Sequence, residues 1–166
     1  NTDGNKFSVS LIQWATSMQV ELNQTTDISS FQSAVDTMDM IGGGTYWGQA
    51  LCKCYTELES GPNAMTANKL CILMSDGRLS SEAIGDDCTE LQNACSGPIT
   101  TQTEAADCLK NEMKYTIFGI LVQDTFSDDA FGDVRATSSC DPSNCVAYNN
   151  CDCDYFLFLQ NFTELQ

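Results

Sequence analysis

The stretch IGGGTYWGQAL, Ile41 to Leu51, sets Gly42, Gly43 and Gly44 in front of Thr45 and then begins an apolar pattern of helical period. Glycine tolerates positive φ and close backbone approach, so this run frees the loop that presents the Thr45 hydroxyl. A second oxygen donor, Asp76, follows the apolar run KLCILMS at 69–75 and is itself followed by Gly77. A hydroxyl and a carboxylate are hard ligands, suited to Mg²⁺ or Ca²⁺ with water completing the shell. Read singly, the threonine caps a helix and Asp-Gly makes a turn. Read together, and if the two elements are neighbours at the carboxyl ends of a sheet, they would make a partial cation site.

The whole chain narrows the chemistry further. Its 166 residues fit one domain, and 23 Asp and Glu against 7 Lys and Arg give a formal charge of −16. That charge repels phosphate backbones and anionic lipid, so no nucleic acid partner is expected, and no apolar run approaches the length for membrane insertion. Histidine is absent, which removes Ser-His-Asp and Cys-His nucleophile systems and imidazole zinc sites. No enzymatic activity is expected: a metal-assisted hydrolase built on Asp76 lacks a second convincing acid in the neighbouring loops. A dinucleotide site is also disfavoured, because the glycine run follows a predicted helix and not a first strand.

Ten cysteines, Cys52, Cys54, Cys71, Cys88, Cys95, Cys108, Cys140, Cys145, Cys151 and Cys153, are even in number and spaced as C-x-C, unlike zinc knuckles. They predict disulfides and a secreted, extracellular location, at a cell surface or in a matrix. Cys71 lies mid-strand, where it bridges to Cys52 or Cys54 on a packing helix or stays a buried thiol. Cys88 and Cys95 bracket an acidic loop. The sequons Asn23-Gln24-Thr25 and Asn161-Phe162-Thr163 mark Asn23 and Asn161 as glycosylation acceptors. Asp152 and Asp154 lack the glycine and terminal Glu of an EF-hand loop and are read as surface acids.

The elements that position these residues follow from periodicity. Phe7, Val9 and Leu11 alternate, and Met18, Val20 and Leu22 alternate again after Ala15-Thr16-Ser17, as in an edge hairpin. Asp27 caps a core-facing helix from Ile28 to Ile41 that ends at Gly42. Trp47, Ala50, Leu51, Cys54, Tyr55 and Leu58 form the stripe of a second helix that stops near Gly61-Pro62. The run at 69–75 reads as a parallel strand covered on both faces. A helix at 105–113, a buried strand at 115–122, a short helix at 130–136, a cysteine-rich excursion at 138–154 and a last strand at 155–159 complete the order. Alternating strands and helices predict an α/β fold.

Gly43-Gly44-Thr45-Tyr46-Trp47-Gly48-Gln49-Ala50-Leu51 resembles the GGTxxGxAL loop of von Willebrand factor A domains, which include the integrin I domains, and Leu70 to Gly77 resembles their strand ending in Ser/Thr-Asp-Gly. The resemblance covers almost the whole chain. It implies a Rossmann-like, doubly wound, mostly parallel sheet with an antiparallel edge strand, here disulfide-rich, in a single domain over 1–166. It also implies a metal-ion-dependent adhesion site, MIDAS, in which Thr45 and Asp76 are ligands, directly or through water, and Gly43, Gly44, Tyr46 and Gly77 line the partner contact. The family's remaining ligands come from an Asp-x-Ser-x-Ser loop after its first strand. No such loop precedes Phe7, and Asp141-Pro142-Ser143-Asn144-Cys145 is no substitute for it. The expectation is therefore a fragment missing the first strand and helix, to be supplied by an upstream segment, a cleaved partner chain or a neighbour. Two functions are open: an adhesion or matrix module that binds an acidic group of an extracellular protein through Mg²⁺ or Ca²⁺, or a structural subunit that contacts its neighbours in an assembly and carries a vestigial site.

Overall fold

The computed structural model describes residues 7–39, 41–61, 64–65, 67–76, 84, 88–122, 134, 136–139 and 156–159. Its elements are β1 (Val9–Trp14), β2 (Met18–Thr25), α1 (Ile28–Thr37), α2 (Trp47–Ser60), β3 (Leu70–Ser75), α3 (Thr89–Ala94), α4 (Gln102–Asp107), β4 (Thr116–Val122) and β5 (Phe156–Leu159), with a π-helical turn at Cys108–Glu112 before β4. The α/β class and the parallel sheet expected from the sequence are both present.

β1 and β2 form the antiparallel hairpin, turning at Ala15-Thr16-Ser17. Its ladder is irregular: Leu11 faces Leu22 whereas Val9 faces Thr25, so Asn23 and Gln24 stand opposite Ser10 alone. Such a bulge twists and bends a strand. Phe7, expected to alternate into the core, is 63% exposed. It lies outside β1, before its first residue, Val9.

Asp27 caps α1 as expected, accepting hydrogen bonds from the Ser29 N–H (3.0 Å) and the Ser30 hydroxyl (2.6 Å). The helix stops at Thr37, however, short of Gly42. Gln13 explains the early stop: its amide donates to the Asp39 carbonyl (2.8 Å) and accepts from the Ile41 N–H (3.0 Å), holding the chain away from helical pairing. Nor does α1 bury any residue, since Ile28 and Val35 remain 43% exposed. A two-stranded hairpin is too narrow to cover a full helical stripe.

α2 supplies the central packing. It buries Trp47, Gly48, Ala50, Leu51 and Cys52, contacts both the hairpin and β3, and shares one core with Cys71, Leu73, Leu91, Leu109, Ile117 and Leu121. Fully burying a Leu or Ile side chain is worth roughly 1.5–3 kcal/mol, so this cluster dominates the stability of the domain. Two disulfides fasten α2 in place: Cys54–Cys71 to β3 and Cys52–Cys88 to the start of α3, while Cys95–Cys108 joins the end of α3 to the π-helical turn. Of the partners open to Cys71, the structure selects Cys54. Between Cys88 and Cys95 lies helix α3, with Leu91 buried, where the sequence suggested only an acidic loop.

β3, β4 and β5 are parallel in that order, with Leu70 opposite Thr116 and Gly119 opposite Phe156. β3 is not covered on both faces. Cys71, Leu73 and Ser75 are buried, the first two in the core shared with α2, but Leu70, Ile72 and Met74 on the other face are exposed. Among the described residues β1 pairs only with β2 and β3 only with β4, so the ladder breaks between the two sheets.

The helix expected at 105–113 begins earlier, at Gln102, because Thr101 and Glu104 form a reciprocal capping box. Hydrogen bonds from the Thr100 N–H and hydroxyl and from the Thr101 N–H hold the Glu104 carboxyl below its usual range. Ser139 fastens the chain beside β4, donating from its N–H to the Ile117 carbonyl and accepting the Ile117 N–H on its hydroxyl, each at 2.8 Å. The remainder of the excursion, 140–154, lies outside the described residues.

Candidate functional site

The relative direction of α2 and β3 decides whether Thr45 and Asp76 can cooperate. Glu59, near the carboxyl end of α2, accepts hydrogen bonds from Lys69 and from the Tyr115 hydroxyl, and the Lys69 ammonium lies 5.0 Å from the centre of the Tyr115 ring. Burial pushes Glu59 up, but these two donors and the lysine charge outweigh it and leave the carboxyl below its usual range. Tyr115 is pushed well up by its burial and by the adjacent carboxylate. This cluster joins the end of α2 to the beginning of β3.

From that anchor α2 runs back and β3 runs forward. The Cys54–Cys71 bridge lies a short way along both, which fixes them antiparallel. At about 1.5 Å rise per helical residue, Thr45 lies about 21 Å back from Glu59. At about 3.3 Å per strand residue, Asp76 lies about 23 Å beyond Lys69. Both therefore belong to the same end of the fold, the carboxyl end of β3, where open parallel sheets gather their ligands.

The glycines do more local work than the sequence suggested. Gly43 has φ +139°, and a Cβ there would fall 2.2 Å from Thr16 Oγ1 and 2.9 Å from Thr16 N. Gly44 donates its N–H to the same hydroxyl at 2.8 Å. The run thus seats the loop against the tip of the β1–β2 hairpin, and Gly42, with nothing near its missing side chain, is only a spacer. Thr45, half-buried, follows directly. Tyr46 is the N-cap residue of α2 without a side-chain capping bond, its carbonyl accepting from the Ala50 N–H (3.2 Å). Trp47 is fully buried, edge-on to Trp14 with ring centres 6.1 Å apart.

Asp76 is exposed directly after the buried Ser75, a placement that offers its carboxylate to solvent. Gly77 lies outside the described residues, as do Asn161 and Cys140, Cys145, Cys151 and Cys153. Among the described residues no group of three or more acids, cysteines or histidines converges as a metal cluster. Thr45 and Asp76 bring hard oxygen donors, and among the described residues the cysteines of α2 and β3 are bridged. They fit a hard cation as a partial ligand set. A cavity of about 250 Å³ beside the Cys95–Cys108 bridge is lined by neither Thr45 nor Asp76.

The sequence model of the von Willebrand factor type A domain matches residues 1–164. The chain belongs to the von Willebrand factor type A family. No curated protein matches it significantly. Domains of the von Willebrand factor type A family commonly serve adhesion or protein interaction, and no helix among the described residues is long and apolar enough to cross a membrane. In this von Willebrand factor type A domain Thr16 and Trp14 hold the segment from Gly43 to Trp47, and the Glu59–Lys69–Tyr115 cluster joins α2 to β3; linear spacing signalled none of them. Only the demand of a triple glycine for some close neighbour hinted at Thr16.

Proposed function

We propose that this von Willebrand factor type A domain is an extracellular module that binds a protein partner through the crevice at the carboxyl end of β3, using a divalent cation. Thr45 and Asp76 provide two of the oxygen ligands, with water and groups beyond these two completing the set. The cation, Mg²⁺ or Ca²⁺, supplies an open position for an acidic group of the partner. The observation that supports this reading is the antiparallel run of α2 and β3 from the Glu59–Lys69 anchor, along which Thr45 and Asp76 are each about 20 Å away by rise per residue. The extracellular placement is supported by the three disulfides. The crevice binds and does not catalyse, in keeping with a chain that has no histidine.

Calorimetric titration of the chain with Mg²⁺ tests this proposal. A saturable heat that is lost in both Thr45→Ala and Asp76→Asn, with melting temperatures unchanged, is expected. Unaltered binding in both variants would refute it. One observation favours the second reading, a structural subunit: Leu70, Ile72 and Met74 leave an apolar strip of β3 uncovered. That reading expects self-association or assembly that persists in chelator.

A further inference from the structure

Among the described residues the hairpin packs against α1 and α2 but has an open side. Trp14 and Met18 pack toward the core beneath α2, while Gln13, on the opposite face, reaches the segment that follows α1. β2 pairs with β1 alone among the described residues, leaving a row of ladder groups on its other side. An unpaired strand of this kind is a template for another strand unless something blocks it. Its charges are sparse: of the eight residues MQVELNQT, only Glu21 is ionisable.

Asn23 lies on this strand at the bulge, where it and Gln24 oppose Ser10. Gln24 turns inward, its amide donating to the Glu57 carbonyl at 2.6 Å, and fixes the local strand against α2. Asn23, its immediate neighbour, is exposed. Thr25 completes the acceptor triplet, and its hydroxyl accepts the Asp27 N–H at 3.0 Å just before α1. An acceptor asparagine, exposed at a bulge of an open strand, is thus held in place by neighbours that all face elsewhere.

We infer that Asn23 carries an N-linked glycan that overhangs the open side of β2 and blocks strand pairing there. This rests on the extracellular reading, since transfer requires the secretory route. In the transfer the Asn23 Nδ2 displaces pyrophosphate-linked lipid from the anomeric carbon of an oligosaccharide. A C–N bond forms, the C–O bond to the lipid pyrophosphate breaks, and the amide loses one proton. The bulge keeps the strand irregular and the glycan adds bulk, two obstacles to the same pairing.

The test uses the full chain with Asn161→Gln as background, passed through the secretory route of a eukaryotic cell behind a cleavable leader. Peptide mass analysis after enzymatic removal of the glycan is expected to find Asn23 converted to Asp. The glycosylated chain should sediment as a monomer, and Asn23→Gln, which has neither glycan nor charge there, should shift to dimers or larger species. Asn23→Lys, which has no glycan but places a charge on the edge, should return to monomer. Thr25→Ser, which keeps the acceptor triplet and the hydroxyl, should behave as the parent and guards against misfolding as the cause. A folded, disulfide-bonded secreted chain with Asn23 unmodified would overturn the inference while leaving the extracellular reading standing. Sedimentation indifferent to the glycan would overturn the shielding role. A chain that forms its bridges only outside the secretory route would instead overturn the extracellular reading itself.

Discussion

Replacing Gly43 with alanine should damage the loop in front of Thr45, and the size of the effect can be worked from its surroundings. At φ +139° an L residue is strained, which costs about 1–3 kcal/mol. The new Cβ would lie 2.2 Å from Thr16 Oγ1, so that hydroxyl must move and release the Gly44 N–H, for about 1 kcal/mol more. The total is about 2–4 kcal/mol, or about 4–16 °C in melting temperature for a domain of this size. Gly42→Ala is the control: nothing lies within 4 Å of its Cβ, and its effect should stay within about 0.5 kcal/mol of zero. Chemical denaturation of both variants, with and without Thr16→Ala, measures the difference as a coupling free energy. Thr16→Ala should relieve part of the cost of Gly43→Ala. Equal destabilisation by Gly42→Ala and Gly43→Ala, or no coupling to Thr16, would refute the idea that the glycines seat the loop on the hairpin.

Gly61→Ala should destabilise the hairpin–α2 contact, because its Cβ would fall 2.0 Å from Gln24 Oε1; hydrogen exchange at β2 is the readout, and loss of protection there is expected. Glu59→Gln should weaken the domain mainly at neutral pH. Because the folded carboxyl sits below its ordinary value of 4.5, its contribution is present above that pH and fades as pH falls below it, so urea denaturation from pH 7 to 3 should show a shallower acid loss in the variant. Replacing Cys52 and Cys88 together by alanine frees a loop of 36 residues and should cost about 4 kcal/mol by chain entropy, read as a lower denaturation midpoint.

The candidate site was legible where it depends on neighbours in sequence. Three glycines before a threonine are a local signal, and Gly43 and Gly44 seat their loop on Thr16; the apolar run ending at Asp76 is another, and forms β3. The second helix was equally plain, since its stripe from Trp47 to Leu58 repeats at helical period. Misreadings arose where distant residues decide. α1 ends at Thr37 because Gln13, far back on β1, captures the Asp39 and Ile41 backbone groups. β3 looks like a doubly covered strand, yet only alternate residues are buried, and no pattern within KLCILMS reveals which layers are present. α4 was a different case: the Thr101 to Glu104 capping box is a local motif and marks the true start of the helix. The bridge from Cys71 to Cys54 required three-dimensional placement, because Cys52 and Cys54 are equally near in sequence.

The central claim is that Thr45 and Asp76 act together on one cation. Titrating Mn²⁺ into isotopically labelled chain and following paramagnetic broadening of the backbone amides tests it directly. The account predicts that Thr45, Tyr46, Ser75 and Asp76 broaden together and first, and that excess Mg²⁺ restores them. Broadening scattered over the other acids, with these four signals intact, would contradict it.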